Sequence, residues 1–311
     1  MPVRYLLNFI CAKLIPVLFV LLPCACSFAD EPHAPQNQTS LTQGTLKLVG
    51  DAYSFTEGPT SDASGNVYFT DQPNDRIVRY DFATGKLIDW LKPCGRANGL
   101  FFVNPGKMIA CADENNELWQ IDISDKTHRV LAAGTKGRTF SGPNDCWVDR
   151  DGAIYFTDPL YQRPYWTQVI PADNPRGVYR VSPEGKVSKV VADLKQPNGI
   201  IGDAENRQLY VADIGDRKTY RYRIDEHGQL TDRTLFCSMG SDGMTIDEQR
   251  NVYLTGRGVT IFNRNGKKLS NIAVPKGWTA NVTFAGPKRK HLFVTAKDSV
   301  FVLEMNVAGL K

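Results

Sequence analysis

The chain of 311 residues contains 37 lysines and arginines against 33 aspartates and glutamates, which gives a formal net charge of +4. The sequence shows no run of basic residues and no ladder of stacking aromatic residues, so it argues against a nucleic-acid partner. With 42% hydrophobic and 23% charged residues, the composition is that of a soluble globular domain.

The first 29 residues have the three parts of a secretory signal peptide. Arg4 supplies positive charge, residues 14–23 are apolar, and Ser27-Phe28-Ala29 provides the small residues of a cleavage site. A membrane anchor would need about 20 apolar residues, so this shorter run favours cleavage. We therefore expect a signal peptide at residues 1–29, a secreted or periplasmic protein without membrane attachment after cleavage, and a disordered polar leader at residues 30–43.

One pattern recurs along the rest of the chain: a polar residue, a short apolar stretch, a turn, and a second run rich in β-branched and aromatic residues. Its clearest copy runs from Gly142 to Pro159, with the turn at residues 149–152. The six copies open with Glu57, Asn98, Asn144, Asn198, Asp242 and Asn281. Their spacing of roughly 40–55 residues is typical of a four-stranded propeller blade. The sequence therefore predicts an all-β fold, a six-bladed β-propeller.

The remaining strands of each blade can also be recognised. In the first blade they are Arg76–Tyr80 and Lys86–Trp90, but the sixth blade has no fourth strand after Ser299–Leu303. The run Thr45–Val49 near the start of the chain has no partner in the first blade and can fill that place. This pairing would close the ring and cover two sheet edges. We therefore predict that the propeller occupies residues 44–311.

The opening residues of the six copies are all polar, although strands that only pack would not need to begin in this way. The innermost strands of a propeller line its channel, so Glu57 and Asp242 are expected near the axis beside several amide oxygens. Unpaired carboxylates would repel each other and their pKa values would rise, a cost that a divalent cation removes. Since all candidate ligands are oxygens, the pattern favours Ca²⁺, with Mg²⁺, Mn²⁺ or Zn²⁺ as alternatives. Asn98 and Asn281 alone would not indicate a site, because Asn and Asp are ordinary turn residues.

The cysteines and histidines favour no other chemistry. After the signal peptide, four cysteines remain, which are Cys94, Cys111, Cys146 and Cys237. An even number in an exported chain permits disulfides in three connectivities. However, Cys111 and Cys146 lie in apolar strands, where a buried thiol is the commoner explanation. No histidine opens an inner strand, so a Ser-His-Asp triad lacks its base.

At these residues the chain resembles the SMP-30/gluconolactonase family of six-bladed propellers, over roughly residues 46–303. The motifs that carry the resemblance are Phe55-Thr56-Glu57-Gly58-Pro59, Pro143-Asn144-Asp145, Tyr155-Phe156-Thr157-Asp158-Pro159, Pro197-Asn198-Gly199 and Ser241-Asp242-Gly243-Met244. Each motif is short, and it is their order along successive blades that makes the combination specific. The chain departs from the family at Gly142, where animal members have a substrate-binding arginine, so substrate recognition is expected to use other residues.

The resemblance implies a metal-dependent catalytic site. The family's metal ligands fall on Glu57, Asn198 and Asp242, and Asp242 also falls on its proposed catalytic acid/base. The substrate- and water-contacting asparagine, a direct metal ligand in related phosphotriesterase propellers, falls on Asn144. We therefore expect one metal held by these four residues. Asn144, Asp145 and Asn98 are the candidate substrate-binding residues, and Asp145 is either an alternative base or a group that orients Asn144.

Further side chains could shape the pocket, and they are Arg96, Trp147, Tyr161, Arg163, Tyr165 and Trp166. The connection at residues 161–176 is unusually long and rich in aromatic residues and proline. It could form a specificity wall or a surface loop with its own aromatic cluster. Another recurring feature is an aspartate after the second strand of four blades, at Asp71, Asp113, Asp158 and Asp213. Its repetition predicts turn hydrogen bonding rather than catalysis.

Two classes of function fit these observations. One is a divalent-metal-dependent hydrolase that opens sugar-derived lactones through a metal-polarised carbonyl and an activated water. The other is a non-catalytic propeller binding module whose metal is structural. The grouping of Glu57, Asn198 and Asp242 favours the hydrolase, because a binding module does not need it. We expect a small-molecule lactone as the partner and a monomer or simple homo-oligomer.

Overall fold

Residues 40–310, which together with Met1 are the part of the chain that the computed structural model describes, fold almost entirely into β-strands. The predicted signal peptide beyond Met1, and the predicted leader up to residue 39, lie outside the described residues. In the described part, the one helix is a short 3-10 turn at Gln72–Asn74. It contains no helix with the length and apolar character required to cross a bilayer.

The first strand, β1 (Thr42–Gly50), is followed by six sets of strands that form the blades. Blade 1 consists of β2 (Thr56–Ser61), β3 (Val67–Asp71), β4 (Arg76–Asp81) and β5 (Lys86–Leu91). Blade 2 consists of β6 (Ala97–Asn104), β7 (Lys107–Ala112), β8 (Glu117–Asp122) and β9 (His128–Ala132). A small hairpin of β10 (Gly134–Thr135) and β11 (Arg138–Thr139) leads to blade 3, which consists of β12 (Cys146–Val148), β13 (Ile154–Asp158), β14 (Gly177–Val181) and β15 (Val187–Val191).

The second half of the ring repeats this order. Blade 4 consists of β16 (Pro197–Asp203), β17 (Gln208–Asp213), β18 (Lys218–Ile224) and β19 (Leu230–Cys237). Blade 5 consists of β20 (Met244–Ile246), β21 (Val252–Gly256), β22 (Gly258–Phe262) and β23 (Lys268–Ile272). Blade 6 consists of β24 (Asn281–Ala285), β25 (His291–Ala296), β26 (Ser299–Met305) and β1. Neighbouring strands in every blade are antiparallel, and the predicted six-bladed β-propeller is confirmed.

The hydrophobic core lies mainly between neighbouring blades. Ile109 of β7 packs with Phe156 of β13, and Tyr253 of β21 packs with Phe284 of β24. Because the second strand of a blade is covered on both faces, β3 and β13 are buried at every position, whereas the outer strand β5 is half exposed. The four cysteines of the described chain are free and buried, as the apolar setting of Cys111 and Cys146 predicts.

The ring is closed by the two ends of the propeller. Strand β1 pairs antiparallel with β26, with Lys47 opposite Val302, so the predicted closure by Thr45–Val49 is confirmed. The strand begins at Thr42, which pairs with Met305, so it includes two residues that the sequence assigns to the leader. Closure therefore gives β26 a partner along the edge that would otherwise be open.

Removal of β1 is expected to lower the thermal stability of the propeller. A chain that begins at Ser40 should unfold at the same temperature as the mature protein, since it keeps the whole strand. A chain that begins at Asp51 should unfold at a temperature lower by roughly 5 °C or more, because it loses one strand of blade 6 and exposes the edge of β26. Thermal unfolding followed by circular dichroism measures the difference. Equal midpoints for the two chains would contradict the structural role of β1.

Candidate active site

The entry residues of the inner strands form a ring because a glycine follows four of them. These glycines are Gly58, Gly99, Gly199 and Gly243. A Cβ atom at Gly58 would lie 2.0 Å from the backbone oxygen of Asn98, and one at Gly243 would lie 2.0 Å from the side chain of Asn281. Each glycine therefore allows the entry residue of the next blade to approach closely. This close approach, rather than turn formation, explains why glycine follows Asn and Asp here.

A cleft of about 370 Å³ lies where the entry residues meet. Four predicted site residues from different blades line it, namely Glu57, Asn98, Asn144 and Asp242. The other lining residues are Phe55, Tyr161, Arg163, Gln196, Ile214 and Trp278. Asn198 is fully buried behind this wall and is hydrogen-bonded to Asp242. The structure therefore brings together all four residues of the predicted metal set.

Glu57 is a buried carboxyl group with another acid beside it. Its side chain is 3% exposed, and its Oε2 accepts a hydrogen bond of 2.9 Å from the backbone N–H of Gly58. Burial raises the pKa of Glu57 well above its usual range, and the nearby carboxylates of Asp242 and Asp145 raise it further. A cation between these groups would favour their ionised forms, so the electrostatics fit a metal site.

Asp242 is held by two donors from other parts of the ring. Its Oδ1 accepts from Asn198 Nδ2 at 2.8 Å, and its Oδ2 accepts from the indole Nε1 of Trp278 at 2.6 Å. Burial raises the pKa of Asp242 to about 6, while the hydrogen bonds from Trp278 and Asn198 and the positive charge of Arg163 oppose the rise. The carboxyl group is therefore fixed in orientation while it still lines the cleft.

Two amide oxygens at the site have no hydrogen-bond donor among the described residues, Asn198 Oδ1 and Asn98 Oδ1. The amide nitrogen of Asn198 donates to Asp242 and to the hydroxyl of Tyr161 at 2.8 Å, which leaves its oxygen as the free group. A buried carbonyl oxygen without a donor is costly, and it is also a good ligand for a hard cation. Within residues 40–310, no group of three or more His, Cys, Asp or Glu side chains could hold a metal. The donor set that fits is a mixed one, with the carboxylates of Glu57 and Asp242 and the amide oxygens of Asn144 and Asn198.

Asp145 lies behind the wall of the cleft rather than on it. It is 6% exposed, it is not among the residues that line the cleft, and its Oδ1 accepts from the backbone N–H of Cys146 at 2.9 Å. Burial raises the pKa of Asp145 to about 7, although backbone hydrogen bonds from Cys146 and Ile200 oppose the rise. This placement favours a role in orienting Asn144 over direct contact with a substrate.

The buried carboxyl groups predict an inverted pH dependence of stability in metal-free protein. Burial raises the pKa values of Asp145 and Asp158 to about 7 and that of Asp242 to about 6, above the ordinary value near 4. The folded state then binds more protons than the unfolded state between these limits. The contribution of these three groups to stability is therefore complete below about pH 4 and is lost as the pH rises through about 6 to 7. Surface carboxyl groups with lowered pKa values, such as Asp216 and Asp298, act in the opposite direction, but mainly below about pH 4. The lowered pKa of His291 acts in the opposite direction but is a single group.

The unfolding temperature of chelator-treated protein is therefore expected to fall as the pH is raised from about 5 to about 8. Saturating Ca²⁺ should reduce this fall, because it binds the ionised carboxylates of the folded state. Differential scanning fluorimetry in a series of buffers, with and without the cation, measures both effects. A metal-free midpoint that stays constant or increases over this range would contradict the prediction.

The long connection between β13 and β14 contributes to the cleft. Tyr161 and Arg163 line it, as expected for a specificity wall, while Tyr165 and Trp166 contact Asp113. Arg96 does not line the cleft and lies over the ring of Tyr165 at 4.5 Å.

Trp147 was expected at the pocket and lies elsewhere. It is 4% exposed and belongs to the core between blades 3 and 4, where it packs with Tyr155 and Leu209. A Cβ atom at Gly202 would lie 2.3 Å from its ring, so that glycine provides the space for the indole. Because successive residues of a strand face opposite sides, Cys146 packs towards blade 2 and Trp147 packs towards blade 4, away from the cleft.

Three of the recurring aspartates have the predicted structural role. Asp71, Asp158 and Asp213 accept hydrogen bonds from backbone N–H groups in the segment that precedes the inner strand of their own blade. Asp113 differs, because its carboxylate accepts from the side chains of other segments. The repeat therefore predicts three of the four positions correctly.

The cleft has four lining residues that the sequence does not predict, which are Trp278, Gln196, Phe55 and Ile214. Trp278 is the most important of them, because it donates to Asp242 from 36 residues away in the chain. The signal that could have revealed it is its position in the segment directly before β24, where the chain approaches the ring of entry residues.

The chain also matches a known family over most of the propeller. The model of the SMP-30/gluconolactonase/LRE-like region matches residues 55–298. The chain belongs to this family. The matched region starts just before Glu57 and extends through the inner strands of all six blades, so it includes every predicted site residue of this SMP-30/gluconolactonase-family protein.

Individual relatives cover most of the chain. A gluconolactonase from Zymomonas mobilis is 27% identical over 292 residues, which cover 85% of this chain and 82% of the relative. Diisopropyl-fluorophosphatase from Loligo vulgaris is 26% identical over 280 residues, which cover 78% of this chain and 86% of the relative. The solved structure of a gluconolactonase from Xanthomonas campestris superposes with a TM-score of 0.77 at 27% identity and covers 84% of this chain and 89% of that one. This SMP-30/gluconolactonase-family chain is therefore similar in sequence to a gluconolactonase and to a diisopropyl-fluorophosphatase, and it shares its fold with a gluconolactonase of known structure.

Proposed function

We propose that this protein is a divalent-metal-dependent hydrolase that opens sugar-derived lactones. The observation that carries the proposal is the group of Glu57, Asn198 and Asp242, in which two buried carboxyl groups with raised pKa values line one cleft and Asp242 is hydrogen-bonded to an asparagine whose amide oxygen has no donor among the described residues. The similarity to a gluconolactonase over 85% of the chain supports the reaction class. The signal-peptide pattern at residues 1–29 supports export to the periplasm or the medium.

Glu57, Asn144, Asn198 and Asp242 would hold the cation, which when bound supplies Lewis-acid polarisation of the lactone carbonyl and stabilises the oxyanion that forms there. Oxygen donors alone favour Ca²⁺ over softer ions.

Asp242 is the residue assigned to take the proton from the attacking water. It lines the cleft, and the hydrogen bonds from Asn198 and Trp278 keep its carboxylate in one orientation. These bonds also lower the pKa relative to burial alone, which favours the ionised form that a general base requires. The proton then passes to the ring oxygen as the carbon–oxygen bond breaks, and the product is the hydroxy acid.

A second substrate class is favoured by the relationship to diisopropyl-fluorophosphatase. The same arrangement of an oriented carboxylate beside a cation site suits attack of water on a phosphorus centre. We propose organophosphate hydrolysis, in which water replaces the leaving group on phosphorus, as a side activity of the same residues.

The test is a substrate and metal screen on the mature chain. Protein stripped with a chelator is assayed with Ca²⁺, Mg²⁺, Mn²⁺ or Zn²⁺ on a panel of aldonolactones and on diisopropyl fluorophosphate, with acid release read by a pH indicator. We expect at least one aldonolactone to be opened faster than its spontaneous hydrolysis, and one metal to restore the activity that the chelator removes. If fully metallated protein hydrolyses neither a lactone of the panel nor diisopropyl fluorophosphate, the binding-module alternative takes the place of the hydrolase.

A further inference from the structure

Asp113 does not perform the task of its counterparts in the other blades. In blade 2, the backbone N–H groups before the inner strand are bound by Asp75, whose Oδ1 accepts from Cys94 at 2.9 Å and from Arg96 at 2.7 Å. Asp75 lies in blade 1. Because Asp75 accepts these backbone hydrogen bonds, the carboxylate of Asp113 is available for other partners.

Asp113 uses this carboxylate to hold the connection between β13 and β14. Its Oδ2 accepts from Arg163 Nε at 2.8 Å, from the hydroxyl of Tyr165 at 2.7 Å, and from Gln72 Nε2 at 3.0 Å. Its backbone oxygen accepts from Trp166 Nε1 at 2.6 Å. Asp113 is 2% exposed, so these contacts form in a buried setting where an unpaired carboxylate would be costly.

The space beside this network is closed to any side chain at position 142. Gly142 has a φ of +116°, and a Cβ atom there would lie 2.7 Å from Asp113 Oδ1 and 3.0 Å from the ring of Trp166. The connection between β13 and β14 therefore fills the space that a side chain at position 142 would need. It also places a polar side chain, that of Arg163, in the cleft.

Arg163 has donors that the described protein does not use. Its Nε is bound to Asp113, whereas its two Nη groups make no hydrogen bond to any described residue, and its side chain is 23% exposed. It lines the cleft together with Glu57 and Asp242. An arginine fixed through Nε presents its remaining N–H groups as a planar fork with a defined direction.

We propose that Arg163 is a specificity-determining residue, whose Nη groups donate hydrogen bonds to the ring substituents of a polyhydroxylated lactone while Asp113 acts as the positioning residue. This inference rests on the proposed lactone hydrolase function. It explains why the buried Asp113 anchors Arg163, a loop residue 50 positions further along the chain. It also implies that a lactone without hydroxyl groups makes no use of Arg163.

The test compares two lactones with the same ring, glucono-1,5-lactone and the unsubstituted δ-valerolactone, in wild type and Arg163→Gln. In Arg163→Gln, kcat/KM for the hydroxylated lactone should fall about 10- to 100-fold more than kcat/KM for the unsubstituted lactone, the range for a hydrogen bond to a charged group. A loss common to both lactones is expected as well, because Arg163 places a positive charge near Asp242. Arg163→Lys should recover part of the loss, because it keeps the charge. Arg96→Gln is the matched control, since it removes an arginine that contacts the same loop outside the cleft, and it should leave the ratio unchanged.

Two results would overturn this role for Arg163. One is an equal loss for both lactones, which would mean that Arg163 acts through its charge or through the fold and not through the ring substituents. The other is unchanged kcat/KM for the hydroxylated lactone, which is decisive even where wild type does not open δ-valerolactone. Failure of the proposed function is distinguishable from both, because metallated wild type would then open neither lactone.

Discussion

Asp242→Asn is expected to lower kcat for lactone hydrolysis by about 10²- to 10⁴-fold, the usual contribution of a general base. Excess metal should not restore the activity. The variant keeps an oxygen ligand and the shape of the side chain, but it loses one negative charge and the proton acceptor. Asp242 lines the cleft with its carboxylate held by Asn198 and Trp278, so the amide that replaces it has room in the same place. Metal should therefore still bind, although more weakly.

The measurement is kcat over a titration of the activating metal, up to saturation. Asp145→Asn is the matched control, because Asp145 is a buried carboxyl group that does not line the cleft. If saturating metal restores the activity of Asp242→Asn, Asp242 is only a ligand. Asp145 then becomes the better candidate for the base, and its variant should show the loss that metal cannot reverse.

Asn198→Ala is expected to lose activity chiefly through metal affinity, which should fall at least about 10- to 100-fold. Asn198 is fully buried, its amide oxygen has no donor among the described residues, and its amide nitrogen joins Tyr161 to Asp242. The variant removes the free oxygen and also loosens the orientation of Asp242. Activity at limiting metal should be low, and excess metal should recover much of it.

Isothermal titration of metal into the variants provides the measurement, with Asn98→Ala as the control. Asn98 also has a free amide oxygen and lines the cleft, but we propose that it contacts the substrate and not the metal. Its variant should lower kcat/KM for the lactone without a change in metal affinity. The opposite pattern, in which Asn98→Ala loses the metal and Asn198→Ala keeps it, would show that the ligand assignment is wrong.

The sequence by itself predicted the blades because strand and turn signals are local. The β-rich run Ile154–Asp158 and the turn before it depend on neighbouring residues, and the same signals recur once per blade. Closure by β1 was also predictable, because the sixth blade lacks a strand that the first part of the chain can supply. The repeat placed Glu57 and Asp242 at equivalent positions, so their meeting near the axis followed from the architecture.

Tertiary structure alone decided which polar groups face the cleft and what they contact. Asp145 is adjacent to Asn144 in the chain, yet it lies behind the wall of the cleft, where it accepts a hydrogen bond from the next backbone N–H. Trp278 and Arg163 reach the site across 36 and 50 residues of intervening chain, through contacts with Asp242 and Asp113 respectively. No local pattern encodes such contacts, since they depend on how the closed ring brings blades and loops together. The free amide oxygen of Asn198 is likewise a property of the folded ring. The amide nitrogen of Asn198 donates to Tyr161 and Asp242 from two other blades, and this fixes the amide so that its oxygen has no donor among the described residues.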